Sequence, residues 1–331
     1  MSTADHRANA IVHWLTNSLN FNIIQFEIAS SDASFRRYFR VIHSQGQHIV
    51  MDAPPEKENT EPFIRIATLL KSAGLNVPQI YQQNLSQGFL LLEDFGNCCF
   101  LDQLNEQNAE ALYQTAFSSL QQLQSNPDLT SSELPCYDQA LLSRELTIFY
   151  DWFLDQHLNL TIPENIQTQL NQILIKSALE QPQVCVHRDF HSRNLMYISE
   201  NSPGIIDFQD AVIGPITYDL VSLLRDCYIA WPEEKVLDWM SLYFQQLDKS
   251  SLINTDLATF TRWFDLMGLQ RHLKAIGIFS RLNLRDNKAN YLADIPRTLN
   301  YVSNITNKYP ELAEFNHFLV TTILPAYNNK K

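Results

Sequence analysis

Two short segments of the sequence carry oxygen-bearing side chains at a spacing suited to a transfer reaction. The first, Val184–Met196, reads VCVHRDFHSRNLM and places Asp189 five residues before Asn194. The second, Gly204–Ala211, reads GIIDFQDA and places Asp207 at the end of an apolar run. Phosphoryl transfer to an alcohol requires one carboxylate that faces the attacking hydroxyl and separate oxygen ligands that hold Mg²⁺. The segments therefore predict Asp189 as the catalytic base, and Asn194 and Asp207 as metal ligands.

The first segment also matches the catalytic-loop pattern of kinases. That pattern, H-R-D followed by four residues and N, is met by His187, Arg188, Asp189 and Asn194. Asp and Asn commonly cap turns, and this structural role is the alternative for each residue taken singly. The combination, followed by a carboxylate at the end of an apolar run, favours catalysis. Zinc binding by His187 and His191 is disfavoured, because this spacing puts both on one face only in a helix and the segment is predicted to be a loop.

The surrounding pattern predicts an α+β fold with two lobes. A helix is expected at Thr3–Leu19 and another at Glu61–Ala73. Strands are expected at Ile23–Ala29, Tyr38–Ile42, Gln47–Met51, Val77–Tyr81 and Gly88–Glu93. From Leu101 onward the pattern is mostly helical. We therefore expect a nucleotide-binding lobe with an antiparallel sheet over residues 1–96, a hinge near residues 93–97, and a catalytic and substrate-binding lobe over residues 97–331.

Composition excludes several classes of function. The chain has 331 residues and a formal net charge of −12, which argues against nucleic-acid binding because such proteins need a surplus of Lys and Arg. No apolar run approaches the length of a membrane span, and the N-terminus lacks the apolar core of a secretory signal. The five cysteines have no metal-like spacing and suit reduced thiols. We expect a cytoplasmic protein that retains its N-terminus, with no membrane association and no obligate protein partner.

The two motifs HRDFHSRN and IDFQDAVIGPITYDL resemble those of the aminoglycoside phosphotransferase and choline kinase family. The resemblance implies a protein-kinase-like fold, with ATP and Mg²⁺ as cofactors. It also implies that Asp219 braces the catalytic loop, and that backbone groups around Glu93, Asp94 and Phe95 receive adenine.

A narrower resemblance concerns the segments VMDAPPEKE, LLLEDFG and MGLQRHLKAIGIFSRLN, together with the run that begins DAVIGPITYDL. These resemble the bacterial sugar kinases that phosphorylate N-acetylmuramate and N-acetylglucosamine at the anomeric hydroxyl. This resemblance implies an α-1-phosphate product and a role in recycling the peptidoglycan of the cell wall.

The sequence departs from the protein-kinase pattern at the phosphates of ATP. No glycine-rich loop is present; the corresponding turn reads SSDASFRRYF, so Ser31, Ser34 and backbone amides are expected to form the cradle. The third strand offers Met51 and Asp52 where a phosphate-binding Lys is expected. The candidates to replace that Lys, each also explained as a surface charge, are Arg36, Arg37 and Lys57. Gln209 stands where kinases have the glycine of D-F-G.

Charge favours an anionic substrate. Between Arg262 and Lys308 the chain has eight basic and three acidic residues, a surplus of five positive charges in an acidic protein. Such a segment suits a sugar that carries a carboxylate, as N-acetylmuramate does, better than a polycationic aminoglycoside. A solvated helix face is the structural alternative. The residues predicted to contact the substrate are Arg193, Arg225, Arg271 and His272.

Two other functions stay open on the sequence. One is a kinase of the same fold that acts on an aminoglycoside, choline or another hydroxylated metabolite. The other is a catalytically inactive nucleotide-binding scaffold, which the absent glycine-rich loop and strand Lys support. Against the scaffold, Asp189, Asn194 and Asp207 are all present, and binding alone does not require all three.

Overall fold

The computed structural model describes residues 5–31, 35–130, 133–249 and 252–330. The chain divides into two compact units. The first unit contains Met1–Gln103 and Leu195–Asp210, and the second contains Leu104–Asn194 and Ala211–Lys331. The catalytic loop therefore ends where the chain enters the first unit for a short segment. The expected functional boundary after residue 96 stays a prediction.

The first unit is built on an antiparallel sheet of five strands in the order β1-β2-β3-β5-β4. Its strands are β1 (Ile23–Ser31), β2 (Arg37–His43), β3 (Gly46–Asp52), β4 (Ile80–Asn84) and β5 (Phe89–Leu92). Its helices are α1 (His6–His13), which continues as the π-helical segment Trp14–Ser18, α2 (Glu61–Ser72) and α3 (Phe100–Gln103). A two-stranded sheet completes the unit, formed by β7 (Leu195–Met196) and β8 (Gly204–Ile205).

One face of the five-stranded sheet is covered by the first helical segment. Alternation along β2 places Phe39 and Val41 on this face, and both are fully or almost fully buried. They form one apolar cluster with Ile11, Trp14 and Leu15.

Helix α2 has the period expected for a half-buried helix, because its buried residues are Phe63, Ile66, Ala67 and Leu70.

The second unit is mainly helical. Its helices are α4 (Ala109–Ser125), α5 (Pro127–Thr130), α6 (Gln139–Ile148), α7 (Glu164–Leu179), α8 (Tyr218–Leu224), α9 (Glu233–Lys249), α10 (Leu257–Asp286), α11 (Ile295–Lys308), α12 (Ala313–Phe318) and α13 (Leu324–Lys330). Shorter segments are π-helical at Phe149–His157 and Leu319–Ile323, and 3₁₀-helical at Ala289–Asp294 and Pro310–Leu312. One antiparallel pair, β6 (Gln183–Val186) with β9 (Val212–Pro215), flanks the catalytic loop in sequence.

Helix α10 is the central element of the second unit. It spans 30 residues, and most residues of its middle part are buried. At Gly277 the backbone of α6 comes so close that a Cβ atom would lie 2.5 Å from the carbonyl oxygen of Ile148. A glycine at this position therefore lets α6 and α10 pack at short range.

The predicted α+β class, with an antiparallel front and a helical remainder, is confirmed. The expected strand at Val77–Tyr81 was wrong in its bounds, because pairing with β5 begins only at Ile80 and Val77 is buried before the strand starts. Among the described residues, no helix combines the length and the apolar character that crossing a membrane requires. The cytoplasmic location stays a prediction.

Candidate active site

The catalytic loop runs from His187 to Asn194, directly after β6. Its second residue, Arg188, has a φ of +78°, a left-handed conformation that is uncommon for a residue with a side chain. Asn194 donates from its amide nitrogen to the backbone oxygen of Asp189 at 3.1 Å, which closes the loop. This bond brings the side chain of Asn194 beside Asp189, the predicted base.

Asp189 is partly buried, and its charge state follows from its neighbours. Burial acts to raise the pKa of Asp189, but nearby basic groups outweigh burial and hold the pKa below its ordinary value. In decreasing order of effect, these groups are Lys274, His191, His187 and Arg271. Asp189 is therefore a carboxylate at neutral pH, the form that can accept a proton from a hydroxyl.

Asp219, near the start of α8, braces the beginning of the loop. Its two carboxylate oxygens accept hydrogen bonds from the backbone nitrogens of His187 at 2.6 Å and Arg188 at 3.0 Å. Asp219 is fully buried, and burial raises its pKa to about 7 against the effect of these two bonds. The bracing role that the family resemblance implied for Asp219 thus has a direct geometric basis.

A second buried carboxylate, Asp226, holds the middle of the loop. It accepts hydrogen bonds from the backbone nitrogen of Ser192 at 3.0 Å and from the hydroxyl of the same residue at 2.5 Å. The backbone nitrogen of Tyr228 donates to its other oxygen at 2.9 Å. Sequence reasoning missed Asp226, because no motif marks a carboxylate that acts from the turn after α8.

Sequence reasoning also missed Glu145 of α6. This buried carboxylate pairs with Lys274 at 2.8 Å and with Arg188 at 2.5 Å, and it accepts a hydrogen bond from the hydroxyl of Tyr137. Burial raises the pKa of Glu145, but Lys274 and Arg188 outweigh burial and lower it. Glu145 thereby holds Arg188 of the loop and Lys274 of α10 on one counter-ion.

The structure gives the four basic residues predicted to contact the substrate different surroundings. Arg225 is 1% exposed and is ion-paired with Asp265 at 2.8 Å and Glu233 at 2.5 Å. His272 lies 2.9 Å from the backbone oxygen of Arg225, and burial lowers its pKa to about 3. These two side chains are occupied by partners within the protein.

The other two basic residues are placed differently. Arg193 is exposed, and its guanidinium lies over the ring of Tyr228 at 3.6 Å from the ring centre. Arg271 is buried, and its one hydrogen bond among the described residues goes to the sulfur of Cys227 at 3.7 Å. Arg193 and Arg271 therefore keep donor capacity that the protein itself does not use.

Asp207, in the first unit, follows β8 after one residue. Its φ is +64°, and one carboxylate oxygen accepts a hydrogen bond from the side chain of Gln209 at 2.8 Å. The next residue, Phe208, is fully buried and packs on Phe63 of α2, with ring centres 4.9 Å apart. Gln209, which stands where kinases have the glycine of D-F-G, thus orients Asp207, the predicted metal ligand.

The segment predicted as the hinge, residues 93–97, is held by a side chain from β2. The guanidinium of Arg40 donates to both carboxylate oxygens of Asp94, at 2.6 and 2.9 Å, and Gln47 donates to the same carboxylate. Burial raises the pKa of Asp94, but the bonds from Arg40, Gly96 and Gln47 outweigh burial and lower it. The Asp94 side chain is thus used to hold the hinge.

The backbone of the hinge keeps two groups for a ligand. Among the described residues, neither the carbonyl of Glu93 nor the N–H of Phe95 has a hydrogen-bond partner. An acceptor and a donor two residues apart suit the edge of a purine. In the cradle predicted for the phosphates, Ser34 and the side chain of Ser31 lie outside the described residues.

The third strand, β3, carries a cluster of ion pairs at the position where kinases have a phosphate-binding Lys. The side chain of Asp52 is completely buried and pairs with Arg7 at 2.5 Å and Arg37 at 2.7 Å. Arg37 also pairs with Asp5 at 2.5 Å. Arg37 shares the sheet face of Phe39, which α1 covers, so its role in this structure is to neutralise Asp52. Lys57 lies over the ring of Phe35 at 4.6 Å.

Comparison with known proteins establishes the family of the chain. A family model described as phosphotransferase enzyme family matches residues 25–251. The chain belongs to this family. The phosphotransferase is 45% identical over 295 residues to a protein of Pseudomonas putida named N-acetylmuramate/N-acetylglucosamine kinase, covering 88% of this chain and 86% of that protein. It is 40% identical to a protein of the same name from Neisseria meningitidis, covering 94% of each chain.

Solved structures support the fold of the phosphotransferase. The crystal structure of choline kinase LicA from Streptococcus pneumoniae matches with a TM-score of 0.64 at 12% identity, covering 89% of this chain and 99% of that one. The ADP-bound aminoglycoside phosphotransferase APH(2'')-Ib matches with a TM-score of 0.60 at 14% identity, covering 89% and 98%. The family and fold predicted from the two motifs are thereby confirmed.

Proposed function

We propose that this phosphotransferase uses ATP to phosphorylate the anomeric hydroxyl of N-acetylmuramate and N-acetylglucosamine, which gives the α-1-phosphate. The observation that carries the proposal is the 45% identity, over most of both chains, to a protein named as a kinase of these two sugars. A role in peptidoglycan recycling follows from the same proposal. The ionised Asp189 within a braced loop supports an active enzyme over an inactive scaffold.

In the proposed reaction Asp189 orients the anomeric hydroxyl and accepts its proton. The anomeric oxygen forms a bond to the γ-phosphorus of ATP, and the bond between that phosphorus and the β,γ-bridging oxygen breaks, which releases ADP. Asp189 later returns the proton to solvent. Because Lys274, the strongest of the basic influences on Asp189, helps to keep the carboxylate ionised, the base is ready at neutral pH. The carbonyl of Glu93 and the N–H of Phe95 receive adenine.

We further propose Asn194 and Asp207 as the ligands of Mg²⁺. Both supply the oxygen donors that this ion prefers. Because the amide nitrogen of Asn194 donates to the loop backbone, its carbonyl oxygen is the atom assigned to the metal. The carboxylate of Asp207 is likewise held by a hydrogen bond, which one of its oxygens accepts from the side-chain nitrogen of Gln209. Bound Mg²⁺ would neutralise charge on the phosphates of ATP during transfer.

The proposal is tested by an acceptor panel with ATP and Mg²⁺. The panel contains N-acetylmuramate, N-acetylglucosamine, methyl N-acetyl-α-glucosaminide, an aminoglycoside and choline. We expect turnover of the two free amino sugars and none of the methyl glycoside, whose anomeric oxygen is blocked. Turnover of the aminoglycoside or choline instead would overturn the substrate assignment, and nucleotide binding without any turnover would favour a scaffold.

Asp189→Asn is the matched variant for the base. We expect the rate of transfer to fall by orders of magnitude while affinity for ATP stays within about twofold, since the change removes the base and leaves the proposed metal and adenine contacts. An equal loss of nucleotide affinity would refute the assignment of Asp189.

A further inference from the structure

Arg271 is a buried cation without a counter-ion among the described residues. It lies in the middle of α10 and is 6% exposed, yet no carboxylate of that part of the chain is within 4.0 Å of its guanidinium. The contact of Nη1 with the sulfur of Cys227, at 3.7 Å, is weak. The guanidinium therefore uses little of its donor capacity within the protein, and a carboxylate ligand could take two parallel N–H bonds from it.

The other charged groups around Arg271 are already committed. Lys274, one turn further along α10, pairs with Glu145. The carboxylate of Asp226 accepts its hydrogen bonds from Ser192 and Tyr228. Asp226 and Asp189 act on Arg271 only through space: burial lowers the pKa of Arg271, but nearby groups, these two carboxylates among them, outweigh burial and raise it. Arg271 is thus a cation close enough to Asp189 for the two charges to influence each other.

We propose that Arg271 binds the lactyl carboxylate of N-acetylmuramate, so that this enzyme prefers N-acetylmuramate to N-acetylglucosamine. The inference rests on the proposed function. A carboxylate can take two parallel N–H bonds from one guanidinium, whereas the hydroxyl that replaces the lactyl group in N-acetylglucosamine takes one. Arg271 is therefore a specificity-determining residue, and the preferred substrates are amino sugars that carry a carboxylate on the substituent at the C3 oxygen.

The test compares kcat/KM for both sugars in wild type, Arg271→Gln and a control, Arg281→Gln. Arg281 also lies on α10 without an ion pair among the described residues, but about 15 Å further along the helix. We expect Arg271→Gln to lower kcat/KM for N-acetylmuramate by about 10- to 100-fold, the size of a charge-assisted contact, and to change the value for N-acetylglucosamine by less than about threefold. Arg281→Gln should leave both values unchanged.

Each result decides the assignment. Equal losses on both sugars would overturn it in favour of a structural role, as would an unchanged preference. A second substrate, the amide of the lactyl carboxylate, should behave in the wild type like N-acetylglucosamine. If the wild type phosphorylates neither sugar, the proposed function fails and calorimetric titration with N-acetylmuramate decides: binding that Arg271→Gln abolishes supports the carboxylate contact, and no binding, or binding that Arg271→Gln leaves intact, contradicts it.

Discussion

Asp226 accepts two hydrogen bonds from Ser192, one from the backbone nitrogen and one from the hydroxyl, and both residues are fully buried. Ser192 lies between the proposed base, Asp189, and Asn194. The carboxylate therefore fixes the middle of the loop, as Asp219 fixes its beginning. Two acidic residues that touch no reacting atom thus set the shape in which the base acts.

Asp226→Asn replaces one carboxylate oxygen with an NH2 group, so the side chain can no longer accept from both Ser192 and Tyr228. Because a displacement of about 1 Å at a reacting group costs on the order of 100-fold, we expect kcat to fall by about 10- to 100-fold. The affinity for ATP should not change. Steady-state kinetics and nucleotide titration measure the two effects. Ser192→Ala, which removes only the hydroxyl bond, should have a smaller effect, and an Asp226→Asn variant with normal kcat would contradict the bracing role.

Arg225→Met tests whether this arginine is a structural cation. The change leaves Asp265 and Glu233 without it, and breaking a buried pair costs about 3 kcal/mol of the free energy of unfolding. We expect this loss in urea unfolding, with KM for the sugar within about twofold. Arg262→Gln, which breaks a partly exposed pair with Glu311, should cost less than about 1 kcal/mol. If the variant had normal stability and a raised KM for the sugar, Arg225 would instead be a residue that contacts the substrate.

The Arg40 and Asp94 pair holds the hinge, and its side chains are 8% and 3% exposed. Arg40→Met leaves the buried Asp94 without the cation that pairs with it. The change also removes the hydrogen bond from Arg40 to the backbone oxygen of Gly96. We expect the dissociation constant of ATP to rise by about tenfold, because an adenine contact must then be ordered on binding. Arg262→Gln is the control, since its partner is Glu311 and both residues lie in the second unit. Equal effects of both variants on ATP binding would argue against a specific role of the hinge pair.

Asp219 makes stability depend on pH. Its pKa is raised to about 7 from an ordinary value of 3.8, so its contribution is full below about pH 4 and is lost as pH rises through 7. Asp219→Asn removes this titration. We expect the unfolding free energy of wild type, relative to the variant, to decrease by up to about 4 kcal/mol between pH 4 and 8. A constant difference across this range would show that Asp219 is ionised throughout.

The sequence was sufficient for what depends on local pattern. The identities of Asp189 and Asn194 and the strand-like composition of residues 38–42 require no knowledge of distant residues. The family followed from the resemblance of the two motifs HRDFHSRN and IDFQDAVIGPITYDL. The predicted strand began at Val77, whereas the strand in the structure begins at Ile80. Val77 is an apolar, buried residue, so in the sequence it resembles a residue of the strand itself. Local periodicity cannot distinguish a buried residue before a strand from one within it.

What the sequence did not give depends on tertiary partners. No sequence pattern relates Asp226 to Ser192 or Glu145 to Lys274, because each pair joins segments that are distant in the sequence. For the same reason, the sequence placed Arg225 and Arg271 together behind Arg193 as substrate contacts and could not separate these two. Their difference lies in which carboxylates face them, and only Arg225 among the three is ion-paired within the described residues.

The position of the transferred phosphate tests the central claim most directly. Wild-type enzyme, ATP, Mg²⁺ and N-acetylmuramate are incubated, and the product is examined by ¹H and ³¹P NMR. Our account predicts that phosphorus couples to the anomeric proton with the pattern of an α-1-phosphate, and that Asp189→Asn forms this product at a rate lower by orders of magnitude. Phosphate on another oxygen, or an Asp189→Asn variant as active as wild type, would contradict the account.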